Sequence, residues 1–96
     1  MEVVRAERFE LVGRDGAVRG VLEADSEGNT SLSLRSTNGE QRVELSVTPN
    51  GNPAIVLFDY QGKLRAELSL GPDGEPALAL WDDQGNKRLL TPRDDG

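Results

Sequence analysis

The 96-residue sequence contains no cysteine and no histidine, and its only aromatic residues are two Phe, one Trp and one Tyr. The first two absences remove disulfide staples, thiolate nucleophiles, imidazole bases and the usual zinc ligands together. No enzyme activity, metal or cofactor is therefore expected. The scarcity of aromatics leaves Leu, Val, Ala and Ile to supply nearly all of the apolar mass in a chain that is 35% hydrophobic. A chain this short also buries a modest fraction of its surface, so its core is thin and extra burial against a partner is expected. Positive charge is the minority sign, with 11 Lys and Arg against 17 Asp and Glu for a formal charge of -6. Nucleic acids and anionic membranes demand a basic footprint, so neither is an expected partner. No apolar run has the length of a membrane span or the core of an export signal.

What the chain does have is a repeat, the feature to look for first because missing it misreads the whole fold. Gly16, Gly39, Gly62 and Gly85 are 23 residues apart, and Arg19, Arg42, Arg65 and Arg88 follow at the same spacing three positions later. Leu11, Leu34, Leu57 and Leu80 form a third column, preceded two places earlier by Phe9, Leu32, Ile55 and Leu78. Leu22, Leu45 and Leu68 form a fourth, and Gly28, Gly51 and Gly74 a fifth.

Each unit reads as two strands and two turns. Apolar residues alternate with polar ones, as in Val43, Leu45 and Val47 against Arg42, Glu44 and Ser46, or Ala66, Leu68 and Leu70 against Arg65, Glu67 and Ser69. That period of two marks a strand with one buried face. Between strands stand Arg14-Asp15-Gly16, Thr37-Asn38-Gly39, Tyr60-Gln61-Gly62 and Asp83-Gln84-Gly85, each ending on a glycine able to take positive φ. The second type of turn, as in Pro72-Asp73-Gly74-Glu75-Pro76, joins a fixed-φ proline to a glycine. Such short links favour antiparallel neighbours. The expected fold is all-β: an antiparallel meander of about eight short strands. Residues 1–7 read as an N-terminal adapter and 8–96 as a single β-repeat domain of four units. Its final segment, 93–96, falls where a further turn would open.

One face of that meander is aliphatic: Phe9, Leu11, Leu22, Leu32, Leu34, Val43, Leu45, Val47, Ile55, Leu57, Leu68, Leu70, Leu78 and Leu80. Eight strands about 4.8 Å apart with about five residues each present roughly 650 Å² of it, more than the roughly 300–600 Å² a monomer leaves uncovered. The sheet must close as an eight-stranded up-and-down barrel, wind as a solenoid, or pack against copies of itself. Repetition of the same Leu and Val columns at every level favours copies over a tapering barrel. Three chains facing inward as a triangular β-prism form the expected homo-oligomer, with these residues as its core.

The unit Leu57-Phe58-Asp59-Tyr60-Gln61-Gly62-Lys63-Leu64-Arg65-Ala66-Glu67-Leu68, followed by Pro72-Asp73-Gly74, resembles repeats of bacterial and phage fibre-type proteins. The resemblance covers most of residues 8–96 and implies a trimeric β-structured shaft. The aromatic-Asp-x-x-Gly step from Phe58 to Gly62 and from Trp81 to Gly85 is similar to the YD repeats of Rhs-type toxin shells. Val12-Gly13 and Arg35-Ser36 depart from it in the other two copies.

Two classes of function follow. The first is structural: a self-assembling rod that serves as shaft or spacer. The second is a binding module for a glycan or polyanion, using Phe58 and Trp81 on the face opposite the Leu column, or the column Arg19, Arg42, Arg65 and Arg88. Against the second, each arginine is expected to pair with an acid such as Glu44 or Glu67 and to lay its stem on the sheet. Acidic turns such as Asp25-Ser26-Glu27-Gly28-Asn29 lack the distal Glu and ligand spacing of a calcium loop. No cleft is encoded that would split the pKa values of a carboxylate pair.

Overall fold

The computed structural model describes residues 2–92, so 93–96, where the further turn was expected to open, lie outside the described residues. Eight strands follow one another: β1 (Arg8–Val12), β2 (Val18–Ala24), β3 (Thr30–Arg35), β4 (Gln41–Val47), β5 (Pro53–Phe58), β6 (Leu64–Leu70), β7 (Pro76–Trp81) and β8 (Lys87–Leu90). They form one antiparallel sheet in sequence order. Among the described residues no helix occurs, and each strand packs only against its neighbours in sequence. β1 and β8 are therefore free edges, which excludes both the barrel and the solenoid for the single chain.

All seven chain reversals have the same geometry, although the sequence presents them as two kinds. In each, the first residue's N–H donates to the carbonyl four positions on, and a glycine N–H returns to the first residue's carbonyl, as in Asp59 N to Lys63 O (2.9 Å) and Gly62 N to Asp59 O (2.9 Å). This is a three-residue hairpin loop whose last residue must be left-handed. Gly62 (φ 81°) and Gly28 (φ 93°) meet that demand at no steric cost, whereas a residue with a Cβ is strained there, asparagine and aspartate least.

Registry of the aliphatic face depends on one extra residue per unit. In the first three hairpins between odd and even strands the pairing shifts beyond the turn, at Leu11/Val12, Leu34/Arg35 and Leu57/Phe58. The unpaired residue is Arg19, Arg42 or Arg65, so each arginine occupies a β-bulge. Without the bulge, Phe9 would oppose Val21 and Leu11 would oppose Arg19; with it they oppose Leu22 and Gly20. The bulge thus moves the aliphatic residues of β2, β4 and β6 onto the face of the odd strands, as a one-residue register shift must. A continuous row results: Phe9, Leu22, Leu32, Leu45, Ile55, Leu68, Leu78 and Leu90.

The fourth hairpin departs from this rule. Leu80 opposes Arg88, Ala79 opposes Leu89 and Leu78 opposes Leu90, with no bulge. Arg88 therefore leaves the arginine column and stands on the aliphatic face, a correction to the sequence reading. Arg42 and Arg65, by contrast, each reach a backbone carbonyl of the next hairpin (see below), and the sequence after Gly85 differs from that after Gly39 and Gly62 in placing Lys87, Leu89 and Leu90 around the arginine.

Candidate assembly surface

The aliphatic face has no layer over it. Leu22, Leu34, Leu45, Ile55, Leu57, Leu68 and Leu80 are all exposed, Leu57 to 45% and Leu11, nearer the edge, to 65%. The side chains that the chain itself buries, Val21 (5%) and Ala79 (7%), sit on the opposite face. Their row runs Glu10, Val21, Ser33, Glu44, Val56, Glu67, Ala79 and Leu89, where small residues lie between longer ones whose stems shade them. All fourteen residues expected to line an oligomer core share the aliphatic face, but none is buried within one chain. The middle of that face is a trough of about 580 Å³ lined by Leu22, Leu32, Leu45, Ile55 and Leu68, with Val47, Pro53, Leu70 and Pro76 along one side. Proline is admitted there because Pro53 and Pro76 are first residues of their strands.

The arginine column is already engaged along the edge that carries the bulges. Arg42 Nη1 donates to the Asp59 carbonyl at 2.6 Å and lies 3.2 Å from Glu40. Arg65 Nε donates to the Trp81 carbonyl at 2.8 Å, and its Nη1 meets the Asp59 carboxylate at 3.2 Å. Each of these arginines clamps its hairpin to the next. Arg19 turns back to Asp15 of its own turn at 3.1 Å. The acids that serve the column are thus turn residues, not the strand residues Glu44 and Glu67 named by the sequence reading. Glu44 instead accepts from Gln41 Nε2 at 2.8 Å. Phe58 and Trp81 do lie opposite the Leu column, but both are half-buried, and the Lys87 ammonium stands 5.4 Å from the Trp81 ring centroid. Arg42 and Arg65 thus direct donors to carbonyls and turn carboxylates, and the two rings are partly covered.

No family model and no curated protein matches this chain. The turn carboxylates, the remaining candidates for chemistry, serve the backbone. Asp25 Oδ1 accepts from the N–H groups of Glu27 and Asn29, both at 2.9 Å; Asp59 and Asp82 do the same in their turns. Where the first turn residue is glycine, an aspartate two places on substitutes, Asp15 for Gly13 and Asp73 for Gly71, accepting from Ala17 N and Glu75 N at 3.0 Å. The Lys63 N–H first, and then Gln61 and Arg65, hold the Asp59 carboxyl below the ordinary aspartate range. Asn86 does this for Asp82 and Asn29 for Asp25. Hydrogen bonds to the charged form produce these shifts. They mark turn construction, where the sequence reading saw only acidic turns without the ligand spacing of a calcium loop.

Proposed function

We propose that the chain is a structural module, one wall of a self-assembling β-rod that serves as shaft or spacer in a fibre-like assembly and has no catalytic role. The observation that carries this reading is surface area. A folded monomer of 10.4 kDa exposes about 5,400 Å², whereas this chain exposes 7310 Å². The excess, about 1,900 Å² by that scaling, is of the size that an obligate interface removes from each partner. Exposed lead-in residues 2–7 supply part of it and the aliphatic face the rest. The radius of gyration agrees: 15.9 Å against about 12.5 Å for a compact chain of this length.

A triangular prism of three chains is the arrangement this reading favours. Equivalent Leu rows meet around a threefold axis, and slim aliphatic side chains fit that axis as aromatics would not. The fibre-type repeats that the sequence resembles have the same character. Light scattering tests the proposal: a mass of three chains or a multiple of three at micromolar concentration is expected, and a mass of one chain overturns it.

A further inference from the structure

We infer that β1 is a second, independent contact surface, at which two copies join edge to edge about a twofold axis into one 16-stranded sheet. The occupant is a second copy of this chain, and the argument is charge complementarity along a free edge. All five residues of β1 are exposed. The Glu7 carbonyl accepts from Ala24 N–H at 2.9 Å, and the alternation of an antiparallel ladder then makes Phe9 and Leu11 the residues bonded to β2. The N–H and C=O groups of Arg8, Glu10 and Val12 consequently point away from the sheet, an unpaired row of the kind that templates another strand.

Two β1 strands that pair with Phe9 opposite Phe9 place Arg8 opposite the partner's Glu10, and Glu10 opposite the partner's Arg8. Both cross-strand pairs are of opposite charge, an arrangement that stabilises antiparallel neighbours. Arg8 already lies 2.8 Å from its own Glu10 and 3.2 Å from Glu23, so the partner's Glu10 extends an existing network. On the other face, the row from Leu68 through Leu22 to Phe9 continues through the partner's Phe9. Because the twofold is perpendicular to the sheet, both aliphatic faces lie on the same side.

The β8 edge offers no such match. Joining it to β1 of another copy with the rows continued sets Arg88 against Leu11 and Leu89 against Glu10. Joining it to another β8 with the rows continued sets Leu90 against Leu90, Leu89 against Thr91 and Arg88 against Pro92, with no pair of opposite charges. Arg88 on the aliphatic face is an inward-pointing charge of the type that blunts sheet edges, and the absent bulge is what put it there. The contact at β1 is isologous and closes on itself.

Charge exchange tests this, with Leu57→Asp as background to remove association through the aliphatic face. Light scattering should return two chains for Leu57→Asp, one chain once Glu10→Arg is added, and two again when Arg8→Glu is combined with Glu10→Arg. A one-chain mass for Leu57→Asp alone, or a two-chain mass unmoved by Glu10→Arg, overturns the proposal. If circular dichroism shows Leu57→Asp unfolded, the same pair is measured in the unmodified chain, where halving by Glu10→Arg and recovery by the double exchange are expected and an unchanged mass overturns it. A mass that Leu57→Asp itself leaves unaltered counts against face packing alone; the charge exchange then decides the edge in the same samples.

Discussion

Arg65 shows what one side chain does in a sheet that has no core. Its guanidinium ties β6 to the Trp81 carbonyl of β7 and to the Asp59 carboxylate of the preceding turn, and Arg42 performs the corresponding task one unit earlier. In a single layer such lateral clamps replace part of what interior packing supplies elsewhere. Arg65→Ala should destabilise the fold by about 1 kcal/mol, since hydrogen bonds from charged groups are worth more than neutral ones but this side chain is partly screened by water. Arg19→Ala should cost less, because Arg19 bonds only within its own turn. Urea unfolding of the two variants under identical conditions checks the ordering. The 23-residue arginine column was legible in the sequence. Its partners were not, because a backbone carbonyl has no signature in the residue that carries it.

At the scale of the element, the hairpin loop is the unit of construction, and glycine and aspartate build it together. Gly62 has open space where a Cβ would stand, so Gly62→Ala measures backbone strain alone and should cost about 1–2 kcal/mol. Gly62→Asn should cost less, because asparagine tolerates the left-handed region. Thermal unfolding of the pair tests this. The turn carboxylates add a pH dependence. Asp15, Asp25, Asp59 and Asp82 all have folded-state pKa values below the ordinary one. Their contribution is therefore complete above the unfolded value of about 3.9 and is lost as pH falls through the lower folded values. The melting temperature should be level around neutral pH and decline on acidification below about pH 4. Asp59→Ala should make that decline shallower. A decline equally steep in Asp59→Ala would refute the assignment.

For the molecule as a whole, nearest-neighbour contacts make length adjustable. Deletion of residues 39–61 joins Asn38 to Gly62, rebuilding a turn with its glycine in place and the Arg65 bulge beyond it. Six strands should remain, the sheet should be shorter by about 9.5 Å, and the melting temperature should be lower because stability in such arrays sums over units and their interfaces. Circular dichroism and light scattering on the shortened chain check the expectation, and an unfolded product would refute it. Leu57→Asp separates chain from assembly: at 45% exposure the isolated sheet accommodates the carboxylate, whereas a closed prism buries it without a partner, at several kcal/mol per charge. The variant should keep its β-sheet dichroism while losing the threefold mass.

The sequence by itself determined the strands, the turns and which residues share a face, because these follow from alternation, from glycine at positive φ and from a 23-residue period, all of which act over a few neighbours. It also indicated that one face would lack cover within residues 8–92, since the repeat assigns these to the strands and turns of a single sheet. Three features were decided only by tertiary structure. The sheet stays open, so the barrel does not form, which depends on twist and edge placement summed over eight strands. The bulges keep the Leu columns in phase, a consequence of pairing that no single strand displays. Arg88, identical in type and spacing to Arg65, lies on the aliphatic face because β8 pairs with β7 without the bulge; its neighbours Lys87, Leu89 and Leu90 stand where Leu64, Ala66 and Glu67 flank Arg65. Which face a residue takes is thus fixed by the pairing of its strand with the neighbour, which the repeat spacing alone does not specify.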